Sequence, residues 1–288
     1  MNRTTFADII LYIVLGLLAF VMIFPFYSVI VMSFSPTIPS LDIAGRFFPR
    51  SFDLTAYRFL FSGTLMLDGF RNTSYIVVLG VGINMFLTTT LAYGLSKKWL
   101  FGRNFLLNFI IFTMFFSGGL IPLFLLVSRT LNLHNSLFAV ILPSGISTFY
   151  MIITKNFFQS LSGELEESAY IDGANDIQIF LRIMLPLSKP ILATIALFYT
   201  VARWNEWFFP MLFWSRQGMT TVQLVLREMV IQTERLAADL TAAAMMQGNI
   251  SMAVRTAATV VTVMPILFVY PFLQRYFVIG LNVGSVKE

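Results

Sequence analysis

The chain has 288 residues, 57% of them hydrophobic and only 11% charged, with a mean hydropathy of +0.80. Soluble domains carry about 25% charged residues, so this composition excludes an ordinary soluble enzyme and points to a polytopic membrane protein. The absence of cysteine and the single histidine, His134, exclude disulfides, thiol catalysis and Cys- or multi-His metal centres, and a net charge of +5 fits membrane topology and anionic lipid without any nucleic-acid partner.

A spanning helix needs roughly 20 mostly apolar residues. Placed where charge disappears, the predicted spans are 9–34, 72–96, 104–128, 130–154, 190–214 and 256–274. The first run is too long for a signal-peptide core and lacks an A-x-A cleavage pattern, so it is expected to be retained. Pro122, Pro143, Pro210, Pro265 and Pro271 lie in or near spans, where kinks are tolerated because neighbouring groups re-satisfy freed carbonyls. Six spans put both termini on one side. Cations outside the spans divide evenly, so a raw count decides nothing. The short basic loop 97–103, and lysines confined to Lys97, Lys98, Lys155, Lys189 and Lys287, place the termini in the cytoplasm.

Three polar segments separate the spans: outer loops 35–71 and 215–255, and an inner, acidic loop 156–189. Within the second outer loop, Leu224, Val225, Met229, Leu236 and Leu240 fall near helical spacing, which predicts a surface helix over 222–246. No short-period repeat or low-complexity tract occurs.

The inner loop reads as two short helices. Ser162 is a candidate cap for a helix over 165–171, with Glu164, Glu166 and Glu167 in its first turns where the helix dipole favours anions. Gly173 breaks that helix. Asn175 or Asp176 caps the next, over 177–184, which Pro186 limits. The expected product is a rigid knob that exposes carboxylates and buries Ile171, Ile179, Phe180 and Ile183.

Two further constellations stand out. Arg203-Trp204-Asn205-Glu206-Trp207 falls inside the fifth predicted span, where charge costs several kcal/mol and usually faces a bundle interior or aqueous cavity. Arg203 and Glu206, three apart, share a helical face and can pair. Trp204, Trp207 and Asn205 offer the apolar planes and amide that suit sugar rings; the alternative is a structural Arg–Glu pair with tryptophans packed on a partner. Ser117-Gly118-Gly119 permits either close helix approach or an unwound turn beside a pathway. His134 is assigned no chemistry. The chain has no G-x-x-x-x-G-K-[ST] phosphate loop, and Gly94-Leu95-Ser96-Lys97-Lys98 does not match one.

Glu167-Ser168-Ala169, then Gly173, then Ile183-Met184-Leu185-Pro186, keeps every spacing of the E-A-A…G…I-x-L-P signature, with Ser168 as the one departure. The chain therefore resembles permease subunits of binding-protein-dependent ABC importers. Thr113 to Pro122, Ile171 to Asn175 and Gln274 to Val278 look like the carbohydrate branch, nearest to permeases for oligosaccharides and polysaccharides that include the alginate importer's second permease.

The resemblance implies an all-α polytopic membrane protein: a single transmembrane domain over 1–288, six helices, and the type I ABC importer permease fold with a cytoplasmic coupling helix. It implies that Glu167, Ala169 and Gly173 form a face docked on an ATPase, with Asp172 touching the ATPase or capping the turn. Ile183, Leu185 and Pro186 would anchor the knob to the membrane helices. Arg203, Trp204, Asn205, Glu206 and Trp207 are the candidate substrate pathway. Gly218 and the residues after it resemble a segment that enters the binding protein, and the tail from Tyr276 to Lys287 one that reaches the ATPase interface. Implied partners are a second homologous permease, two ATPase subunits that bind ATP and Mg, a soluble solute-binding protein, a saccharide and membrane lipid. The chain itself would hold no cofactor, no metal and no catalytic residue, and would sit in a bacterial inner membrane. An ion-coupled secondary transporter is the alternative, with a non-transporting scaffold behind it. Against the first, the spans hold one acid, Glu206, and no clear inverted repeat. The sugar is left open: Arg46, Arg50 and Arg58 suit an acidic saccharide, but Asp42 and Asp53 lie among them.

Overall fold

The computed structural model describes residues 6–34, 52–161, 163–238 and 252–269. Asp42, Arg46, Arg50, Ser162, Leu240, Pro271 and the tail from Gln274 fall outside them. All regular structure among the described residues is helical. The chain divides into two compact units, one of residues 1–67 with 225–265 and one of residues 68–224 with 266–288.

In the first unit, helix α1 covers Phe6–Ser33 and carries Pro25 inside it. Its side chains from Ile10 to Ile23 are exposed and almost all apolar, a pattern stable only where lipid or another membrane helix replaces water. Past its end, Phe34 stacks on Phe52 at 4.6 Å and Ser33 shares a 2.7 Å hydrogen bond with the Tyr57 hydroxyl. Helix α2, Thr55–Ser62, starts where the Thr55 amide and hydroxyl both donate to Asp53 Oδ1. Those two bonds, the hydroxyl's first, hold the Asp53 carboxyl below the usual carboxylate range.

Helix α3, Thr64–Ser96, starts two turns before the predicted span. At about 1.5 Å per residue its 33 residues outrun the ~30 Å apolar core, and Asp68 pairs with Arg71 at 2.9 Å near its start. The predicted span 104–128 is not one helix. Helix α4, Arg103–Phe115, is followed by Leu120–Thr130 (α5 and a π turn) after a bend of 110°. Phe116 is extended and Gly119 sits at φ 88°, ψ 162°, a conformation closed to L side chains, so the Ser-Gly-Gly break is written into the backbone.

The next apolar stretch also breaks. Leu137–Ser144 (α6 and a 3-10 turn holding Pro143) meets α7, Thr148–Ser160, at 56°. Helix α8, Gly163–Ile171, lies outside the apolar stretches. Asp176–Leu187 follows (α9, Asp176–Ile179; a π turn; α10, Leu185–Leu187) and turns by 82° into α11, Lys189–Trp204. The predicted span 190–214 ends early: residues 205–207 are irregular, and α12, Phe208–Phe213, starts afresh. Helices α13, Val222–Ala238, and α14, Met252–Val269, complete the described chain. Among the described residues, by length and composition, three helices can cross a membrane, or up to six if each bent pair is one span.

The second unit holds three apolar clusters that position everything below. Tyr93, Leu95, Met151, Phe158, Ala169, Ile179 and Met184 form one at the acidic-loop end. Ile191, Ile195 and Tyr199 form a middle one, and Ile76, Val127, Ala139, Val140, Phe213 and Trp214 the third. In lipid such clusters hold by close packing and hydrogen bonds rather than by expelling water.

Candidate functional site

The acidic loop folds into a knob whose rigidity has a local cause. At the end of α8 the Ala174 amide donates to Ala169 O at 2.9 Å, and the Gly173 amide to Tyr170 O at 3.0 Å. These are the two bonds of a Schellman cap, which needs a left-handed residue at its centre; Gly173 sits at φ 82°. The spacing of Ala169 and Gly173 is therefore the spacing of one helix stop. Helix α9 starts at once with a full capping box: Gln178 N donates to Asn175 Oδ1 at 2.9 Å, and Asn175 N to Gln178 Oε1 at 3.0 Å. Tyr170 Oη donates to Asp176 Oδ1 at 2.5 Å across the turn. That bond, with some burial, pushes the Tyr170 hydroxyl up to about 12.

The knob presents Glu167, Asp172 and Gly173 to solvent. Ile183 and Leu185 pack against the cluster around Tyr93, while Pro186 is exposed. Two expectations are corrected. Ala169 is buried in that cluster at 8% exposure, so it seats the knob and supplies the cap carbonyl instead of forming the outer face. Ile171, expected to be buried with Ile179, is 86% exposed because it lies about 200° around α8 from buried Ala169; Ile179 is fully buried. Ile171 and Ile177 thus leave an apolar tip beside the carboxylates.

The polar run 203–207 breaks the helix that was expected to carry it. Arg203 is 3% exposed, and its guanidinium makes no pair with Glu206. Nε donates to Asn84 Oδ1 at 2.9 Å, Nη1 to Val140 O and Ser144 Oγ, and Nη2 to Ile141 O and Ser144 O at 2.8 and 2.9 Å. The fork caps the carbonyl end of Leu137–Ser144, where the helix dipole is negative and the bend frees acceptors. Asn84 completes the clasp by donating to Ser144 O and Gly145 O at 2.8 and 2.6 Å. Tyr199 Oη accepts from the Ser147 amide at 2.9 Å and shares a 2.7 Å bond with Thr88. Arg203 is thus the cation of a bend clasp.

Glu206 does a different job: its Oε1 accepts from the Phe208 and Phe209 amides at 3.1 and 3.2 Å and starts α12. Asn205 is exposed and tied to Val201 O and Gln223 at 2.9 Å each. Trp204 lies 6.0 Å from the Phe70 ring, and Trp207, 38% exposed, stands edge-on to Phe208. Phe208 and Phe209 face the unwound 117–119 segment across a cavity of about 580 Å³, lined also by Pro122, Leu123 and Leu126. His134 lies 3.2 Å from Ser215 Oγ, linking two loops. Gly218 sits at φ 80°, its carbonyl held by Asn72 Nδ2 at 2.8 Å. Sequence reasoning missed Asn84, Tyr199, Tyr93 and Lys97. The first three lie inside predicted spans with no charge or spacing to mark them, and Lys97 reads as topology alone.

The family described as binding-protein-dependent transport system inner membrane component matches residues 87–282. The chain belongs to this family. It is therefore an inner-membrane component of a transport system, and the knob and all of the bend clasp except Asn84 lie in the matched stretch. Among its relatives, the polygalacturonan/rhamnogalacturonan transport system permease protein YtcP of Bacillus subtilis (strain 168) is 39% identical over 97% of this chain and 98% of that protein. Protein LplC of the same organism is 42% identical over 95% of this chain and 92% of LplC. A solved chain from a bacterial ABC transporter involved in the import of the acidic polysaccharide alginate superposes with a TM-score of 0.83 at 30% identity. It covers 96% of this chain and 100% of that one. The family fold is thus the all-α permease fold expected from the signature.

Proposed function

We propose that the chain is one pore-forming half of an ATP-driven importer that takes a saccharide, of the acidic polymer class, from a soluble binding protein into the cytoplasm. The observation that carries this reading is the capped knob, with its exposed Glu167, Asp172 and Ile171, in a member of the binding-protein-dependent family. The substrate class is inferred from relatives whose names specify polygalacturonan and alginate, both uronate polymers. Family membership lends no support to the ion-coupled alternative.

In this reading the pore needs a second, homologous permease across a pseudo-twofold axis, and two ATPase subunits hold ATP and Mg. Both termini are cytoplasmic and the knob faces the ATPase. A loaded binding protein docks outside, nucleotide closes the ATPases, and the knob moves as a body because its two caps leave no hinge within it. Ile183 and Leu185 pass that motion into the packed helices, and access alternates. Phe208, Phe209 and the 117–119 turn border the space through which sugar passes, with Trp207 and Asn205 nearby. The chain supplies binding and motion but no bond chemistry.

The test is uptake into proteoliposomes loaded with ATP, with the binding protein and labelled neutral or uronate oligosaccharides outside. ATP-dependent accumulation of uronates over neutral sugars supports the reading. Uptake without ATP that follows an ion gradient overturns it.

A further inference from the structure

We propose that Lys97 is a positioning residue for coupling: its ion pair with Glu166 is the link through which the knob moves α3. The inference rests on reading the knob as the ATPase-docking element.

Lys97 follows the last residue of α3, and its side chain is only 7% exposed. Its Nζ donates to Glu166 Oε2 on α8 and lies 4.2 Å above the centre of the Tyr93 ring. A cation so far out of water needs its partner, because removing one member leaves an unpaired buried charge. Glu166 is the right carboxylate for this: Glu164 and Glu167 beside it are exposed, whereas Glu166 shares the inward face of α8 with buried Ala169. The floor under the pair is stiff. Tyr93 packs on Phe180 at 4.8 Å and edge-on to Phe158, and its hydroxyl reaches Asp176 O at 3.4 Å.

The end of α3 is held from other sides as well. Arg103 Nε donates to Leu95 O at 2.8 Å, and Gln159 Nε2 to Ser96 O at 3.1 Å. These bonds clamp α3 to the starts and ends of α4 and α7. The chain connects the knob to α11 covalently, through the 82° turn after Leu187. Its connection to α3 is non-covalent, and Lys97–Glu166 is the ion pair in it. Apolar contacts between Ala169, Ile179 and Tyr93 keep the knob seated but tolerate sliding, whereas a charge pair over a ring fixes direction.

The chain has no cysteine, so the two introduced thiols are its only ones and the link can be rebuilt covalently. The complex with its ATPase and binding protein is reconstituted with Lys97→Met, with the swap Lys97→Glu/Glu166→Lys, and with Lys97→Cys/Glu166→Cys before and after a short bis-thiosulfonate bridge. The readouts are ATPase co-purification and ATP hydrolysed per sugar imported. The proposal predicts that Lys97→Met and the unbridged cysteine pair keep the ATPase bound but raise ATP used per sugar on the order of tenfold or more. The swap and the bridge bring it back towards the wild-type ratio. A wild-type ratio in Lys97→Met, or a bridge that restores nothing, overturns it. Loss of ATPase binding in Lys97→Met and in the unbridged cysteine pair also overturns it, because Lys97 would then only fold the knob. A wild-type chain that retains no ATPase defeats the docking reading itself.

Discussion

Replacing Arg203 by Leu keeps the volume near the clasp but removes every donor. Five hydrogen bonds disappear, to Asn84 Oδ1, Val140 O, Ile141 O, Ser144 O and Ser144 Oγ. Polar contacts between membrane helices are worth about 0.6 kcal/mol on average and up to about 1.7, so the direct loss is about 3 kcal/mol. Relief of burying the charge offsets part of it, and orphaned carbonyls at the bend add about 1 kcal/mol or more each. A net destabilisation on the order of 3 kcal/mol corresponds to a fall in Tm of roughly 5–10 °C for a protein of this size. Arg203→Lys retains charge but not the fork, and is expected to lose about half as much. The assay pairs thermal unfolding of the purified complex with uptake kinetics of the surviving fraction. The clasp predicts a lower Tm and an unchanged KM for sugar. A wild-type Tm with a raised KM would refute the reasoning and return Arg203 to the substrate pathway.

Three other outcomes follow from the geometry. Gly173→Ala meets open space but must hold φ 82°, at about 1–2 kcal/mol, so ATPase affinity measured by pull-down titration falls by roughly 5- to 30-fold. Ile171→Glu leaves permease stability unchanged, since the side chain is 86% exposed, yet abolishes ATPase co-purification; retained binding would remove the apolar tip from the interface. Gly119→Ala forces an L residue to φ 88°, ψ 162°, and is expected to lower transport and to reshape the cavity, seen as altered labelling of a cysteine placed at Leu123.

The knob was legible because its sequence is punctuation. Gly173 and Asn175 are the residues that stop one helix and start another, and the stop fixes the distance back to Ala169. The spans were legible as apolar runs, and Ser117-Gly118-Gly119 as a place where a helix can unwind, but the bend angles were not. Hydropathy averages over a window and passes straight through Ser117-Gly118-Gly119, although a 110° bend lies there. Arg203 and Glu206 looked like a pair because helical spacing was assumed to continue. The helix ends at Trp204, so Arg203 turns to carbonyls of another segment and Glu206 to amides of the next helix. Ile171 misled for a related reason: its apolarity says where it avoids water, not whether its own chain or a partner excludes that water.

The central claim is that the knob couples this membrane component to ATP hydrolysis elsewhere. Its most direct test is ATPase activity of the reconstituted complex, wild type against Gly173→Asp, with binding protein and uronate oligosaccharide added in turn. Stimulation by the loaded binding protein is expected in wild type and none in the variant. An ATPase rate indifferent to both sugar and substitution would contradict it.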